Sequence, residues 1–255
     1  MDFAGKAVLV TGGGRGIGAA IARAFAAEKA LVAVNYLRDA AAAPQVVAEC
    51  RAAGGDAFAV QADVTVPEQV ARLVEQVVAE AGRIDVLVNN AVRAYAFDPE
   101  QRKTFEALAF DDYRAQFEGA VGAAHHASKA VLPHFAQRAQ GSIVNIVSNL
   151  VEHPLVPYHD YTTAKAALVG FSRNLAAELG PLGVRVNCVA PGLVYPTSAS
   201  GTTRARFRDD IAAATPLRRI ARPEDVAGPV LFLASDWSGF MTGQVLFVDG
   251  GLVMR

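Results

Sequence analysis

Residues 7–20 read AVLVTGGGRGIGAA, a short apolar run that leads through five glycines into an alanine-rich segment. This pattern predicts a strand, a tight turn and a helix in direct succession. Glycine allows positive φ angles, and a helix N-terminus presents unpaired N–H groups to an anion. The stretch is therefore a candidate site for the pyrophosphate of a dinucleotide, although a plain strand–helix turn would need no ligand. The spacing of Gly12, Gly16 and Gly18 is one residue wider than the common G-x-G-x-x-G motif.

The alternation of short apolar runs and longer segments of helical period continues along the chain. It predicts seven strands, near Ala7–Val10, Leu31–Asn35, Ala57–Gln61, Val86–Asn89, Ser142–Val147, Arg185–Val189 and Val245–Val248. It predicts six helices, near Gly16–Ala27, Ala41–Ala53, Pro67–Ala81, Asp111–Phe135, Tyr161–Leu179 and Pro223–Ala234. Such alternation is typical of an α/β, doubly wound, Rossmann-type fold with a parallel sheet between two layers of helices. No linker or repeat divides the 255 residues, so we expect a single domain over 1–255.

One segment, Leu193–Thr215, does not fit the alternation. It contains Pro196 and Gly201 and shows only weak periodicity. A stretch of this length without regular structure is commonly a functional lid or disordered. We therefore expect a lid or substrate-binding segment at about 193–215.

Composition narrows the class of protein. Hydrophobic residues make up 52% of the chain and charged residues 19%, with a net charge of −1, which argues against a disordered chain and against electrostatic binding of nucleic acid. Charged residues interrupt every apolar run before the ~20 residues that a membrane span needs. The cysteines Cys50 and Cys188 form no metal-ligand pattern, and Met1–Ala7 lacks the features of a signal peptide. We expect a cytoplasmic protein with no metal, nucleic-acid or membrane partner.

Six motifs occur in a fixed order along the chain. They are residues 11–18, Asp63-Val64, Asn89-Asn90-Ala91, Ser148 with Tyr161 and Lys165, Pro191-Gly192, and residues 248–251. In this order and spacing they resemble the short-chain dehydrogenase/reductase family over essentially the whole sequence. Asn35-Tyr36, Pro191-Gly192 and residues 248–251 look most like the 3-oxoacyl-acyl-carrier-protein reductases. The resemblance implies an NAD(P)-dependent oxidoreductase that interconverts a carbonyl group and an alcohol.

Ser148, Tyr161 and Lys165 are the catalytic residues that this resemblance implies. Tyr161 and Lys165 are four residues apart and so share one face of a helix. An ammonium about 4 Å from a phenol favours the phenolate by ~4 kcal/mol at an effective dielectric constant of ~20, or about 3 pKa units. We therefore predict a Tyr161 pKa of about 7, which suits a proton donor to a carbonyl oxygen. Ser148 would donate a hydrogen bond to the same oxygen, and an ordinary surface Tyr–Lys pair is the alternative.

The resemblance also implies which residues bind the cofactor. They are Gly12, Gly14, Arg15, Gly16, Ile17, Gly18, Asn35, Tyr36, Arg38, Asp63, Val64, Asn89, Ala91, Tyr161, Lys165, Pro191, Gly192 and Val194. At the end of the second strand an acid binds the ribose of NAD, whereas a basic residue accepts the 2′-phosphate of NADP. Arg15 and Arg38 therefore favour NADP(H) over NAD(H), while Asp39 argues in the other direction.

The substrate that the resemblance implies is a 3-oxoacyl thioester, carried by an acyl carrier protein or by coenzyme A. A free or small cyclic ketone is the alternative. An acidic carrier protein needs basic residues near the end of the catalytic helix, but Gly180–Gly183 is uncharged and leaves only Arg138 and Arg173 nearby. The resemblance further implies a homotetramer or homodimer, which would suit the alanine-rich helices.

Two positions depart from the family pattern. Ala120 stands where the family has an asparagine that completes its proton relay, and Val92 stands where the family has a glycine. Either water held by the backbone replaces the relay, or turnover is slower. The following segment, Arg93–Lys103, is interpreted as an exposed loop, with a wall of the substrate cleft as the alternative.

Two other classes of function remain open. A hydrolase could use Ser148 with His153 or His159 and Asp160, but no G-x-S-x-G elbow surrounds Ser148. A cofactor-binding sensor with little catalysis is the more serious alternative because of Ala120.

Overall fold

The computed structural model describes residues 1–254, and within them seven parallel strands form one sheet. The strands are β1 (Ala7–Val10), β2 (Leu31–Tyr36), β3 (Asp56–Gln61), β4 (Val86–Asn89), β5 (Gly141–Ile146), β6 (Val184–Pro191) and β7 (Val245–Val248). Their spatial order is β3-β2-β1-β4-β5-β6-β7. The order of connection reverses between β1 and β4, and open α/β sheets bind ligands at such a point, beyond the carboxyl ends of the strands.

Within the same residues there are eight α-helices, most of which cover the two faces of the sheet. They are α1 (Gly16–Ala27), α2 (Ala42–Ala52), α3 (Pro67–Ala81), α4 (Phe110–Phe117), α5 (Ala123–Arg138), α6 (His159–Leu179), α7 (Ala205–Ala214) and α8 (Pro223–Ala234). Side chains of a strand alternate between its faces, so Val8 and Val10 pack with α1, α2 and α8, whereas Leu9 packs with α3 and α5. None of the eight helices combines the length and the apolar composition of a membrane span.

The predicted α/β class and parallel sheet are confirmed, and all seven predicted strands are present with each end within two residues. The reason is that β1 and β4 are buried throughout, as the central strands of a parallel sheet must be. Their apolar runs are therefore continuous and easily recognised.

The helix predicted for Asp111–Phe135 is in fact divided. A π-helical turn at Glu118–Gly122 separates α4 from α5 and contains Ala120. A π turn holds one residue more than an α turn, and such turns are frequent at functional sites. The apolar periodicity of a long alanine-rich segment does not reveal this single extra residue.

The predicted lid, Leu193–Thr215, contains the unpredicted helix α7. Ile211 is its one fully buried residue. The helix lies on the surface and lacks the broad apolar stripe that marks a core helix in sequence. This explains the weak periodicity that we note for the segment.

Candidate active site

The glycine-rich turn after β1 is held by several hydrogen bonds. Asn90 Nδ2 donates to the carbonyl oxygens of Thr11 and Gly12, at 2.9 and 3.1 Å. Thr11 Oγ1 accepts from the backbone N–H groups of Asn90 and Ala91, at 3.0 and 3.1 Å. Gly12 has a φ of 61°, and a Cβ on Gly18 would lie 2.3 Å from the Gly12 carbonyl oxygen. Glycine is therefore required at residue 18 for α1 to approach the turn this closely.

The start of α1 fits an anion. Arg15 precedes Gly16 without capping the helix through its side chain, so the N–H groups of the first turn, which includes Ile17, keep their capacity for a ligand. Gly14 lies against Tyr36 at the end of β2, where an added Cβ would be 3.5 Å from the tyrosine Cβ. The partial positive charge of the helix N-terminus attracts phosphate. The residues present therefore fit the pyrophosphate of a dinucleotide.

The Asn35 side chain makes hydrogen bonds within the protein, and its contact with the cofactor stays a prediction. Its Oδ1 accepts from the Gly12 N–H at 3.2 Å, and its Nδ2 donates to the carbonyl oxygens of Val60 and Ala62 at 3.3 and 3.1 Å. The residue is 2% exposed, and a buried amide needs such partners. The Asn35 side chain ties β2 to β3 and to the glycine-rich turn, and protein atoms occupy its hydrogen-bonding groups.

The remaining predicted cofactor residues lie at the carboxyl ends of successive strands. They are Asp63 and Val64 after β3, Asn89 and Ala91 at β4, and Pro191, Gly192 and Val194 at β6. Asp63 Oδ1 accepts from Thr65 Oγ1 at 2.6 Å. Asn89 points inward, where its Nδ2 donates to Asn145 Oδ1 at 2.8 Å, so its side chain supports the site from behind.

Ser148, Tyr161 and Lys165 meet at the same edge of the sheet. Ser148 follows β5, and the other two lie one helical turn apart on α6. Their exposed fractions are 6%, 8% and 3%. Ser148 hydrogen-bonds to the Tyr161 phenol, and Lys165 Nζ donates to the Ile146 carbonyl oxygen at 2.7 Å. Lys165 Nζ lies 5.8 Å from the centre of the Tyr161 ring, so the three predicted catalytic side chains form one buried cluster.

The prediction that the Tyr161 pKa is about 7 is wrong for this arrangement. Burial raises the pKa of Tyr161 to about 12, and the hydrogen bond from Ser148 opposes this rise only in part. Burial also lowers the pKa of Lys165 to about 8, against a smaller opposing effect of Cys188. Desolvation disfavours the charged form of each group. At neutral pH Tyr161 is therefore a neutral phenol, and Lys165 is mostly an ammonium.

Tyr161 also lies in a cluster of aromatic rings. The ring centres of Tyr95 and Phe97 are 5.0 and 5.1 Å from that of Tyr161. Tyr158 packs edge-on against Tyr95 and Phe97, at 5.7 and 5.4 Å. Phe207 of α7 packs against the same rings. We name these five residues the aromatic cluster.

The segment Arg93–Lys103 is more than the exposed loop that we predict. The Phe97 N–H donates to the Ala199 carbonyl oxygen at 2.8 Å, and Thr203 Oγ1 donates to the Phe97 carbonyl oxygen at 2.7 Å. The loop and the segment 193–215 are thus hydrogen-bonded to each other and cover Tyr161 together. The geometry of Arg93–Lys103 fits the alternative interpretation of this segment as a wall of the substrate cleft.

Two arginines flank the end of β2. Arg15 and Arg38 are exposed, and among residues 1–254 neither has an ion-pair partner. Asp39, which argued against NADP, accepts from the Ala42 N–H at 3.0 Å at the start of α2. Its carboxylate is therefore engaged with the helix that follows.

Ala120 and Val92 are the two residues that depart from the family pattern. Ala120 is 4% exposed inside the π turn and brings no polar atom from its side chain. Val92 is 43% exposed and does not have a positive φ. The β-branched residue therefore sits at that position without backbone strain.

The hydrolase alternative is not supported by the geometry. Asp160 accepts a hydrogen bond from Tyr95 Oη at 2.9 Å, and the His159 ring lies 5.7 Å from that of Phe105. A serine hydrolase needs its acid to orient its histidine towards the serine. Here Asp160 and His159 are engaged elsewhere, and among residues 1–254 Asp160 makes no hydrogen bond with the exposed His153.

Several residues that build the site were missed by sequence reasoning. Thr11 and Asn90 brace the glycine-rich turn, Asn149 Nδ2 donates to Asp249 Oδ2 at 3.1 Å, and Phe207 reaches the aromatic cluster. Thr11 and Asn90 belong to the motifs we quote, so the signal was present for them. The other contacts join distant segments, which local pattern does not reveal.

Metal-binding groups are not assembled in the part of the chain described. Among residues 1–254, no three His, Cys, Asp or Glu side chains are placed to hold an ion. Cys50 and Cys188 are both buried and unpaired.

Comparison with known proteins gives consistent matches. A family model described as enoyl-(acyl carrier protein) reductase matches residues 12–253. A 3-oxoacyl-[acyl-carrier-protein] reductase of Synechocystis sp. is 38% identical over 98% of this chain and 97% of its own length. The 7α-hydroxysteroid dehydrogenase of Escherichia coli K12 is 34% identical, over 98% and 95% respectively.

A solved structure resembles the whole molecule. It is the crystal structure of NADH-dependent reductase A1-R′, responsible for alginate metabolism, with a TM-score of 0.87, 28% identity and 99% coverage of each chain. These matches extend over nearly the whole chain, and the family model spans residues 12–253. The chain belongs to the short-chain dehydrogenase/reductase family and is an oxidoreductase of alcohol or ketone groups that uses a nicotinamide cofactor.

Proposed function

We propose that the protein reduces a carbonyl group to a secondary alcohol with NADPH. The observation that carries this proposal is the buried contact of Ser148, Tyr161 and Lys165 beside a turn that fits a pyrophosphate. The nicotinamide, when bound, supplies the hydride. Tyr161 donates a proton to the carbonyl oxygen, and Ser148 donates a hydrogen bond to the same oxygen.

The protonation states of the cluster favour reduction over oxidation at neutral pH. Reduction needs Tyr161 as a phenol, and with a pKa of about 12 it is a phenol at pH 7. Oxidation needs the phenolate, and burial of Tyr161 disfavours that form at neutral pH. The Lys165 ammonium stabilises the negative charge that develops on the tyrosine oxygen as the proton leaves.

The preference for NADPH rests on Arg15 and Arg38. Both are exposed at the end of β2 and, within residues 1–254, unpaired, while Asp39 is engaged with the start of α2. A guanidinium pairs with a phosphate dianion far better than with a ribose hydroxyl. We expect a lower KM for NADPH than for NADH, and we expect Arg38→Ala to reduce the difference. Equal KM values in the unaltered protein would contradict this assignment.

A 3-oxoacyl thioester is the first candidate substrate, supported by the 38% identity to the Synechocystis reductase. Such a role belongs to fatty acid biosynthesis in the cytoplasm. Arg138, one of the few cations near the end of α6, lies 4.0 Å from Asp85 and is partly neutralised. This makes an acidic carrier protein less favoured than coenzyme A as the carrier of the acyl group. The 34% identity to the steroid dehydrogenase supports the second candidate, a cyclic ketone.

A substrate panel tests the proposal directly. NADPH oxidation would be followed with acetoacetyl, crotonoyl and steroid or simple ring substrates, and repeated with NADH. Turnover of a carbonyl compound supports the proposal, whereas turnover of the crotonoyl thioester alone would assign an enoyl reductase. Tight NADPH binding without turnover of any member would favour the sensor alternative that Ala120 raises.

Tyr161→Phe tests the assignment of the proton donor. The variant keeps the ring and its contacts with Tyr95 and Phe97 but removes the hydroxyl. We expect kcat to fall by about 10²–10⁴, as for loss of a general acid, with NADPH affinity unchanged within twofold. Steady-state kinetics and a fluorescence titration of NADPH measure the two quantities. A kcat within threefold of the unaltered protein would place the proton donor elsewhere.

A further inference from the structure

The surface around the candidate proton donor is almost entirely aromatic and comes from three separate segments. Tyr95 and Phe97 come from the loop after β4, Tyr158 precedes α6, and Phe207 comes from α7. Phe97 meets the Tyr161 ring edge to face, with an interplanar angle of 86°, and Tyr95 is tilted by 33°. These are the distances and angles that aromatic pairs prefer.

Most polar groups of this cover are engaged within the protein, but the Tyr158 hydroxyl is buried and has no hydrogen-bond partner among residues 1–254. Tyr95 Oη donates to Asp160 at 2.9 Å. Arg204 pairs with Glu100 at 2.7 Å, and the Arg208 guanidinium lies 4.1 Å from the centre of the Tyr195 ring. What the cover presents to Tyr161 is therefore ring surface.

The cover must move for a substrate to reach Tyr161, which is only 8% exposed. That movement uncovers the faces of Tyr95 and Phe97, and exposed apolar area is unfavourable. A substrate with a large apolar ring beside its carbonyl covers these faces again, whereas a substrate with a methyl group leaves most of them exposed. The difference in buried area acts directly on the ratio of kcat/KM values.

We propose that Tyr95 and Phe97 select the group attached to the reacting carbonyl carbon, and that this group is an uncharged apolar ring such as phenyl or an alicyclic ring. The inference rests on the carbonyl-reducing function proposed above. It applies whether the rest of the substrate is a thioester, an ester or a ketone, because the selected group is the one on the far side of the carbonyl.

A matched pair of 3-oxo esters tests the proposal. Ethyl benzoylacetate and ethyl acetoacetate differ only in phenyl or methyl at the reacting carbon, and the cyclohexyl analogue separates ring size from conjugation. We expect kcat/KM with NADPH to be at least ~10-fold higher for both ring compounds than for the methyl compound. A methyl compound that is turned over as well as or better than the ring compounds would overturn the inference while leaving the proposed function intact.

Two variants test whether Phe97 determines the preference for a ring over a methyl group. Phe97→Leu should lower the ring-to-methyl ratio about fivefold, because it removes one ring while keeping an apolar side chain. Phe110→Leu, at a phenylalanine that is 71% exposed on α4, serves as the control and should leave the ratio unchanged. An unchanged ratio in a folded Phe97→Leu protein would overturn the assignment.

A binding measurement covers the case in which no ester is reduced. Saturation-transfer NMR on the Tyr161→Phe protein with benzoylacetate should show stronger transfer to the phenyl protons than to the ethyl protons, and Phe97→Leu should reduce it. Transfer confined to the ethyl group would contradict the inference independently of turnover.

Discussion

Lys165 is an amine buried at a cost to the folded state. It is 3% exposed, its one direct acceptor among residues 1–254 is the Ile146 carbonyl oxygen at 2.7 Å, and burial lowers its pKa from 10.5 to about 8. A group that is harder to protonate when folded destabilises the fold while it is charged. Functional sites commonly contain such destabilising groups because the reaction needs them.

This burial makes stability depend on pH in a defined direction. Between about pH 8 and 10.5 the unfolded chain holds a proton on Lys165 that the folded chain has lost, so the free energy of unfolding rises with pH. We expect the difference in unfolding free energy between the unaltered protein and Lys165→Met to rise by up to ~1.4 kcal/mol per pH unit near pH 9. Urea unfolding at several pH values measures it.

The buried cysteines act in the opposite direction. Cys50 and Cys188, whose pKa values are raised to about 11, favour unfolding as pH rises above their ordinary range. Both proteins contain them, so the effect of Cys50 cancels in the difference, whereas that of Cys188, which interacts electrostatically with Lys165, cancels only in part. Parallel pH profiles for the two proteins would show that Lys165 is solvated.

The residue scale also shows what sequence can and cannot predict. Helix geometry was enough to place Tyr161 and Lys165 on one face of α6, and the resemblance to the family implied that Ser148 joins them. The sign of the Tyr161 pKa shift was not predictable. It depends on burial by Tyr95 and Phe97, more than sixty residues away in the sequence.

At the scale of elements, the glycine-rich turn and α1 act as one unit. A Cβ on Gly18 would lie 2.3 Å from the Gly12 carbonyl oxygen and 2.6 Å from Asn90 Nδ2. We expect Gly18→Ala to push α1 away from the turn, to weaken NADPH binding at least ~10-fold and to destabilise the fold by about 1–3 kcal/mol. Fluorescence titration and urea unfolding measure the two effects.

A second helical glycine provides the matched control. Gly170 in α6 has no neighbour within 4 Å of an added Cβ. Gly170→Ala should stabilise the protein by about 0.5–1 kcal/mol and leave NADPH binding unchanged. Equal effects of the two substitutions on NADPH affinity would rule out the steric argument for Gly18.

The π turn offers a test of the altered proton relay. Ala120 is buried in Glu118–Gly122, which packs against α6. An asparagine there adds an amide able to hold water, and we expect Ala120→Asn to raise kcat about threefold, at a cost of about 1–3 kcal/mol for the extra volume. A folded variant with unchanged kcat and unchanged solvent isotope effect would show that Lys165 exchanges its proton by another route.

The elements also separate predictable from unpredictable structure. Buried strands such as β1 and β4 carry continuous apolar runs, so their positions follow from sequence. Helix α7 buries only Ile211 completely, and the π turn changes the register of a helix by one residue. Neither feature changes the apolar pattern enough to be recognised.

At the scale of the whole molecule, the carboxyl edge of the sheet is assembled by contacts between remote segments. Asn149, next to Ser148, donates to Asp249 near the C-terminus, and an added Cβ on Gly192 would lie 2.9 Å from the Asp249 Cβ. The motif at residues 248–251 therefore supports the candidate site physically. This explains why a resemblance that includes the end of the sequence was informative about the active site.

The side of the sheet that ends in β7 indicates how the molecule associates. Strand β7 is an edge strand, its residues are only half-buried, and the turn before it exposes Trp237 and Phe240, at 79% and 107% of their reference areas. Exposed apolar edges of this kind mark interfaces, and we propose a homodimer or homotetramer that buries this one.

Light scattering at micromolar concentration should give twice or four times the protomer mass, and the double variant Trp237→Ser, Phe240→Ser should give a lower mass. Leu182→Ser, at a leucine that is 41% exposed after α6, is the control and should leave the mass unchanged. A monomer for the unaltered protein would contradict the proposal, because it would leave these side chains in water.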